Sequence, residues 1–245
     1  MSALPGGTRL SLLLRSFTIQ GSWNYQSLIG TGFAFLLLPA LRRLHRGDEE
    51  ALRAAVARHA ELFNSHPYLV TIAAGAVARL EEDGTPPETV RRFKAALRGS
   101  LGSLGDRLVW LAWRPVCALV ALVLLLLGLP WWAAVATFLL AYNALHLWLR
   151  SWGLAVGLRD GLAVGKALRE APLQRLGDRT ADAGAVLAGF ACVLAVGYSF
   201  SGAAGYAAGA VAAAAGLWMG LRIRRAIWVI LLLVWIADLL MVATS

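Results

Sequence analysis

Three polar clusters in this 245-residue chain carry residue types from which a binding site is built. The first, residues 16–25, interleaves Ser16, Thr18, Gln20, Ser22 and Asn24 with Phe17, Trp23 and Tyr25. Amides and hydroxyls of this kind pair with the hydroxyls of a sugar ring, and an aromatic face covers its apolar CH face. Gln20, Trp23, Asn24 and Tyr25 are therefore candidate substrate contacts. An amphipathic interfacial helix would have the same composition, and both readings stay open. The second cluster is Phe63-Asn64-Ser65-His66-Pro67-Tyr68. Proline pushes the residue before it out of the helical region, so this segment reads as a helix end and a turn into an apolar stretch. Asn64 and His66 are candidate polar contacts. His66 suits a proton relay or phospho-acceptor, and equally a cap on a helix or a buried carbonyl. The third, residues 99–110, has glycine at 99, 102 and 105, followed by Asp106 and Arg107, with Arg114 beyond. Regular glycines allow close packing, or an unwound backbone whose amides point into a cavity. An unpaired charge at mid-membrane costs about 2.5–3.5 kcal/mol on insertion scales, so pairing or hydration is expected for Asp106, Arg107 and Arg114.

No self-sufficient catalytic set accompanies these clusters. The histidines at 45, 59, 66 and 146 lack zinc-ligand spacing. Phosphate-loop and dinucleotide glycine fingerprints are missing, and no serine occupies a nucleophile elbow. Cys117 and Cys192 lie inside apolar runs, which argues against a disulfide framework or a thiolate metal site. No metal, cofactor or catalytic residue is expected.

The elements that must position the clusters are those of a membrane protein. Apolar residues make up 59% of the chain and charged residues 15%, against roughly 25% charged in an ordinary globular protein. Mean hydropathy is +0.65. Such a composition excludes disorder and suits a helical bundle in lipid. The net charge of +9 would suit nucleic acid, but beside this apolar content it reads as positive charge held on one side of a membrane. The N-terminal run 10–14 is too short for the apolar core of a signal peptide.

Five spans follow residue 114: 115–129, 131–148, 183–198, 203–219 and 227–244. The turns at 128–130 and 199–205 carry no charge. The connection 150–182 carries Arg150, Arg159, Lys166, Arg169, Arg175 and Arg179, and Arg222, Arg224 and Arg225 precede the last span. The one-sided arginines predict a cytoplasmic N-terminal half and an outer C-terminus. Trp131 and Trp132 then sit at the outer interface; Trp148, Trp152, Trp218 and Trp228 sit near the inner one. Tyr142, Asn143 and His146 form a polar surface on one helix.

The first 114 residues read as amphipathic, interfacial and re-entrant helices. Asp48 caps a helix through Phe63, and Thr85-Pro86-Pro87-Glu88 reads as a capping box opening a helix that stops at Gly99. Two apolar pieces, 30–38 ending at Pro39 and 68–78 containing Gly75, are too short to span; runs of this length are buried helices, interfacial segments or re-entrant hairpins. The expected architecture is an all-α polytopic membrane protein with two regions, 1–114 and 115–245.

Segments 22–44 (SWNYQSLIGTGFAFLLLPALRRL), 59–69 (HAELFNSHPYL) and 97–116 (LRGSLGSLGDRLVWLAWRPV), with the WGL and glycine-rich stretch 152–165, resemble the IID subunit of mannose/fructose/sorbose-type sugar phosphotransferase permeases. The resemblance implies a inner-membrane subunit of a hetero-oligomer. It would pair with a IIC subunit and pass a hexose inward, while soluble IIA and IIB proteins carry the phosphate. It implies no phospho-histidine on this chain, and the composition has already set a nucleic-acid partner aside. Two features depart from the family pattern: only a short Gly/Ser/Ala turn precedes the last spans, and Arg107 follows the Gly-Asp pair where a small residue is usual. A non-transporting scaffold or regulator derived from the family is the alternative. A membrane enzyme acting on lipid phosphates would need clustered acids, and the spacing of Asp160, Asp178 and Asp182 matches no such site.

The orientation is open to a direct check. A reporter active only outside the cytoplasm should give signal when fused after Ser245 and stay silent when fused near residue 165. The opposite pattern would overturn the assigned topology.

Overall fold

The computed structural model describes residues 4–199 and positions 207, 210, 211, 214, 215 and 218. The expected spans 203–219 and 227–244, Trp228 and the arginines at 222–225 lie wholly or largely outside the described residues. Within them the chain is helical: α1 (Gly6–Arg15), a 3-10 turn (Ser16–Thr18), α2 (Gly30–Leu44), α3 (Glu49–Ala60), α4 (Val70–Glu82) and α5 (Pro87–Gly105). A π-helical stretch, Asp106–Trp113, leads into α6 (Arg114–Leu126). Then come α7 (Trp131–Asp160), a second 3-10 turn (Gly161–Ala163), α8 (Val164–Glu170) and α9 (Leu173–Ser199). Two helical stretches, Pro87–Leu126 and Trp131–Ala195, are long and apolar enough to cross a membrane.

The chain forms two compact units, Met1–Arg107 with Ala144–Gln174, and Leu108–Asn143 with Arg175–Ser245. In the first, α2 packs on α1, α3 and α4. Residues 70–78 of α4 are buried throughout, so the apolar piece around Gly75 is a core helix, one of the alternatives its length left open. Small residues let α4 and the second half of α7 meet backbone to backbone. A Cβ on Gly75 would stand 2.6 Å from the Leu154 carbonyl oxygen, and one on Gly157 would stand 2.6 Å from the Ala76 nitrogen.

Several sequence-based boundaries need correction. α2 does not end at Pro39 but runs through it to Leu44. Proline cannot donate to the Phe35 carbonyl one turn back. The Arg15 Nη1 donates to that oxygen instead, at 3.0 Å, and its guanidinium lies 4.3 Å from the centre of the Phe35 ring. α5 does not stop at Gly99 either; it continues to Gly105 and passes unbroken into the π stretch. Pro87 does open this helix, but Pro86 holds the cap position without a side-chain hydrogen bond, so the capping box is not formed. By contrast Asp48 caps α3 as expected, accepting from the Ala51 N–H at 2.9 Å, but the helix ends at Ala60 rather than Phe63, because Glu61 turns to an extended backbone at ψ 163°.

In the second unit, the Trp113 indole Nε1 donates to the Ala141 carbonyl at 3.2 Å. The uncharged turn at 128–130 closes α6 onto α7, with Gly128 at φ 87°. Large apolar side chains point outward here, among them Leu122, Leu125, Leu139, Leu140, Trp131 and Trp132. Such a surface suits lipid rather than water.

A buried charge cluster ties α3, α4 and α5. The Arg58 guanidinium donates to both Glu81 carboxylate oxygens, at 2.7 and 2.9 Å, and His59 Nε2 bonds Glu81 Oε1 at 2.9 Å. His45 Nε2 lies 3.9 Å from the same carboxylate. Lys94 donates to the Arg58 carbonyl at 2.9 Å, with its ammonium over the Phe33 and Phe63 rings. Burial opposes the Glu81 charge, but the bonds from His59 and Arg58 hold its carboxyl down at about 2 against an ordinary 4.5. Burial likewise lowers His59 below its ordinary 6.5. Both groups bind protons more weakly folded than unfolded, so acid favours the unfolded chain. The melting temperature is expected to fall as pH drops below 6.5, and further from 4.5 toward 2. Glu81→Gln should flatten the lower part of that profile and cost about 3–5 kcal/mol, because it leaves the Arg58 charge without its carboxylate. A melting temperature unchanged between pH 7 and pH 4 would contradict this.

Candidate functional site

The loop before α2 is organised by Asn24. An asparagine amide offers two acceptor positions and two donors, and all four are engaged within the loop. Oδ1 accepts from the Gln26 and Ser27 N–H groups, each at 2.9 Å; Nδ2 donates to the Ser22 carbonyl at 3.2 Å and to Ser27 Oγ at 2.9 Å. Asn24 and Leu28 exchange backbone hydrogen bonds across the loop, and Leu28 sits at φ 54°. The loop is then sewn to the second cluster: Phe63 N–H donates to the Ser27 carbonyl at 3.2 Å, and Ile29 N–H to the Phe63 carbonyl at 3.1 Å. The outcome is an exposed tip carrying Gln20, Trp23 and Tyr25, with the Trp23 and Tyr25 rings edge to face at 4.8 Å. Asn24 shapes this tip and has no donor or acceptor left for a ligand.

His66 begins α4. Its Nδ1 accepts from the Tyr68 N–H at 3.2 Å, and its carbonyl accepts from Leu69 and Val70 at 3.0 and 3.1 Å. It is the helix-starting histidine that the His-Pro pair allows. Burial, with the Arg150 charge nearby, lowers it to about 4, so the imidazole is neutral at pH 7. Asn64 is exposed on the turn. Of the three glycines only Gly105 makes a close approach: a Cβ there would overlap the His66 ring, whereas Cβ atoms on Gly99 and Gly102 would meet nothing within 4 Å. The glycine segment is thus intact helix rather than unwound backbone. Asp106 and Arg107 are exposed where the π stretch begins, and the Arg114 guanidinium stands 5.1 Å from the centre of the Trp110 ring, one turn back. π-helical turns recur at functional sites because they displace side chains from the regular helical register.

The residue that unites the clusters was not singled out from sequence. By sequence Arg150 is one charge of a basic connection, but α7 runs past it to Asp160 and buries it to 3% exposure. One Nη1 donates to both the carbonyl and the Oγ of Ser16, the latter at 2.8 Å. Its Nε donates to His146 Nε2 at 2.6 Å. Its guanidinium lies 4.7 Å from the Phe17 ring centre and 5.3 Å from that of Tyr68. His146 stacks on Tyr68 at 3.9 Å, and Tyr68 meets His66 edge-on at 5.0 Å. Residues from the first polar cluster (Ser16, Phe17), the second (His66, Tyr68) and the third (Gly105) therefore converge with His146 and Arg150. The available signal was an arginine four residues after a histidine on an apolar helix, a spacing that places both on one face. Chemically the group offers hydrogen-bond donors and aromatic faces. Among the described residues no three His, Cys, Asp or Glu side chains gather as a metal site.

These contacts separate the glycines and asparagine by consequence. Gly105→Ala should displace His66 and lower the melting temperature. Gly99→Ala and Gly102→Ala should leave it unchanged or raise it, by up to about 1 kcal/mol of helix propensity each. Asn24→Ala should cost about 1–3 kcal/mol through unpaired loop amides. Equal melting temperatures for the Gly105 and Gly99 variants would refute the Gly105–His66 contact.

The model of the PTS system mannose/fructose/sorbose family IID component matches residues 4–201. The PTS system mannose-specific EIID component of Escherichia coli (strain K12) is 32% identical over 170 residues, covering 67% of this chain and 59% of that protein. The sorbose-specific EIID component of Lacticaseibacillus casei is 32% identical over 162 residues, 64% of this chain and 56% of its own length. The chain thus spans under two thirds of the length of these relatives. A cryo-EM structure of the mannose transporter ManYZ with microcin E492 superposes with a TM-score of 0.62 at 29% identity, over 78% of this chain and 70% of that one. With a family model matched over most of its length, the chain belongs to the mannose/fructose/sorbose IID family of the sugar phosphotransferase system.

Proposed function

We propose that this chain is the IID-type subunit of a permease that carries a mannose-, fructose- or sorbose-type sugar across the bacterial inner membrane. It acts beside a IIC subunit, and translocation is coupled to phosphorylation of the sugar by phosphate from soluble IIA and IIB proteins. The N-terminus faces the cytoplasm, and this chain bears no phospho-histidine. The observation that carries the reading is the convergence of the three polar clusters, on which the family resemblance rests, around Arg150 in one compact unit. Gln20, Trp23 and Tyr25 at the exposed tip are the proposed contacts for sugar: an amide and two aromatic faces suit a ring of hydroxyls and CH groups. The buried His66 and Gly105 support the turn that carries Tyr68. The large apolar outward surface of the second unit suits lipid and a membrane partner.

Uptake by cells that lack their own hexose permeases tests this. Radiolabelled mannose, fructose or sorbose should enter when this chain is produced with a IIC subunit and the IIA and IIB carriers, and should fail to enter when this chain is omitted. Gln20→Ala and Trp23→Ala should raise KM at unchanged protein level, by about tenfold if one hydrogen bond or stacking face is lost. Uptake that persists without this chain would favour the family-derived scaffold instead.

A further inference from the structure

The Arg150–His146 contact has a chemical consequence for what this site presents. Every polar hydrogen of a guanidinium is a donor and none of its atoms accepts. His146 Nε2, facing the Arg150 Nε–H at 2.6 Å, is therefore the acceptor. A neutral imidazole with an accepting Nε2 carries its proton on Nδ1. A second proton would set two donors against each other, so the ring stays neutral while the contact lasts. Stacking on Tyr68, at 3.9 Å and 15° between planes, fixes the orientation of the ring. His146 is partly exposed, and its Nδ1 has no hydrogen-bond partner among the described residues. Phe17, 45% exposed, borders it at 5.4 Å between ring centres. Arg150 is already occupied by Ser16 and His146 and has no carboxylate partner among the described residues.

We propose that Arg150 is a positioning residue that locks His146 in its Nδ1–H tautomer, and that this N–H, beside the Phe17 ring, donates to a hydroxyl oxygen of the transported sugar. A directed donor next to an aromatic face is the chemistry that recognises an uncharged polyol ring. An Nδ1–H cannot ligate a metal, and the adjacent guanidinium repels cations. The ligand assignment rests on the transport reading; the tautomer does not.

Two isosteric substitutions separate the nitrogens. His146→Gln can place its amide oxygen near the former Nε2, keeping an acceptor for Arg150 while removing the outward donor. His146→Asn places an amide nitrogen near the former Nδ1, keeping the donor. In the uptake assay with the full set of subunits, His146→Gln should raise KM about tenfold with Vmax little changed, the effect of one lost hydrogen bond. His146→Asn should stay within about threefold of wild type, by the same scale. Unchanged KM in His146→Gln overturns the sugar contact. The tautomer is read separately, from ¹⁵N-histidine spectra of the wild-type complex in nanodiscs, with the His146 signals assigned by their loss in His146→Gln. A protonated Nδ1 and an unprotonated Nε2 at pH 7 are expected, and Arg150→Lys should mix the two tautomers. An Nε2–H form or an imidazolium in the wild type overturns the positioning role, even if Arg150→Lys fails to fold. A wild-type complex that takes up none of the three sugars defeats the transport reading and the sugar contact with it, while the spectrum still decides the tautomer.

Discussion

A buried guanidinium with no carboxylate partner among the described residues governs the first unit. Taking such a charge out of water is costly unless its donors are met. Arg150 meets that demand with the carbonyl and hydroxyl of Ser16, the ring nitrogen of His146 and the faces of Phe17 and Tyr68. Ser16 ends α1, Tyr68 precedes α4, and His146 lies one turn before Arg150 on α7. None of these segments can shift alone without leaving the charge exposed to an apolar surrounding. The arginine therefore fixes the relative placement of the polar clusters more firmly than apolar packing would, since packing has no direction and hydrogen bonds do.

Space for that arrangement comes from small side chains. Gly75, Gly153 and Gly157 let α4 and α7 cross at backbone distance, which brings the Arg150 turn of α7 to the start of α4. Gly105 leaves room for the His66 ring, and so for the turn carrying Tyr68. On the far side of α4, the Glu81 cluster holds α3 and α5 through Arg58, His59 and Lys94. One end of the core helix is thus governed by a cation and the other by an anion, each satisfied by groups from neighbouring helices.

The two units present different surfaces. The first has a compact interior and a hydrogen-bonded polar tip. Trp23 and Tyr25 stand out because the Asn24 amide closes the loop beneath them, so their exposure is held by hydrogen bonds rather than by chance. The second unit turns leucines and tryptophans outward. Belonging to a family of membrane proteins fits the outward apolar surface of the second unit.

Much of this was readable from residue order. Apolar content and the scarcity of charge pointed to a helical membrane chain, and the described residues are helical; Asp48 and Pro87 marked true helix starts, and Gly128-Leu129-Pro130 a true turn; the polar clusters supplied the side chains that gather around Arg150. These are local or compositional signals, set by backbone propensity and by solvent. What the sequence left undecided depended on distant partners. Pro39 looked like a helix end because the arginine that replaces its missing hydrogen bond lies 24 residues earlier. Asn24 looked like a ligand contact because its loop partners are revealed only by the loop's closure. Arg150 looked like one more surface charge in a basic stretch, and no periodicity distinguishes a guanidinium that faces lipid headgroups from one that faces Ser16. Burial of a charge is decided by whether other segments bring acceptors to it, and that is a property of the tertiary structure alone.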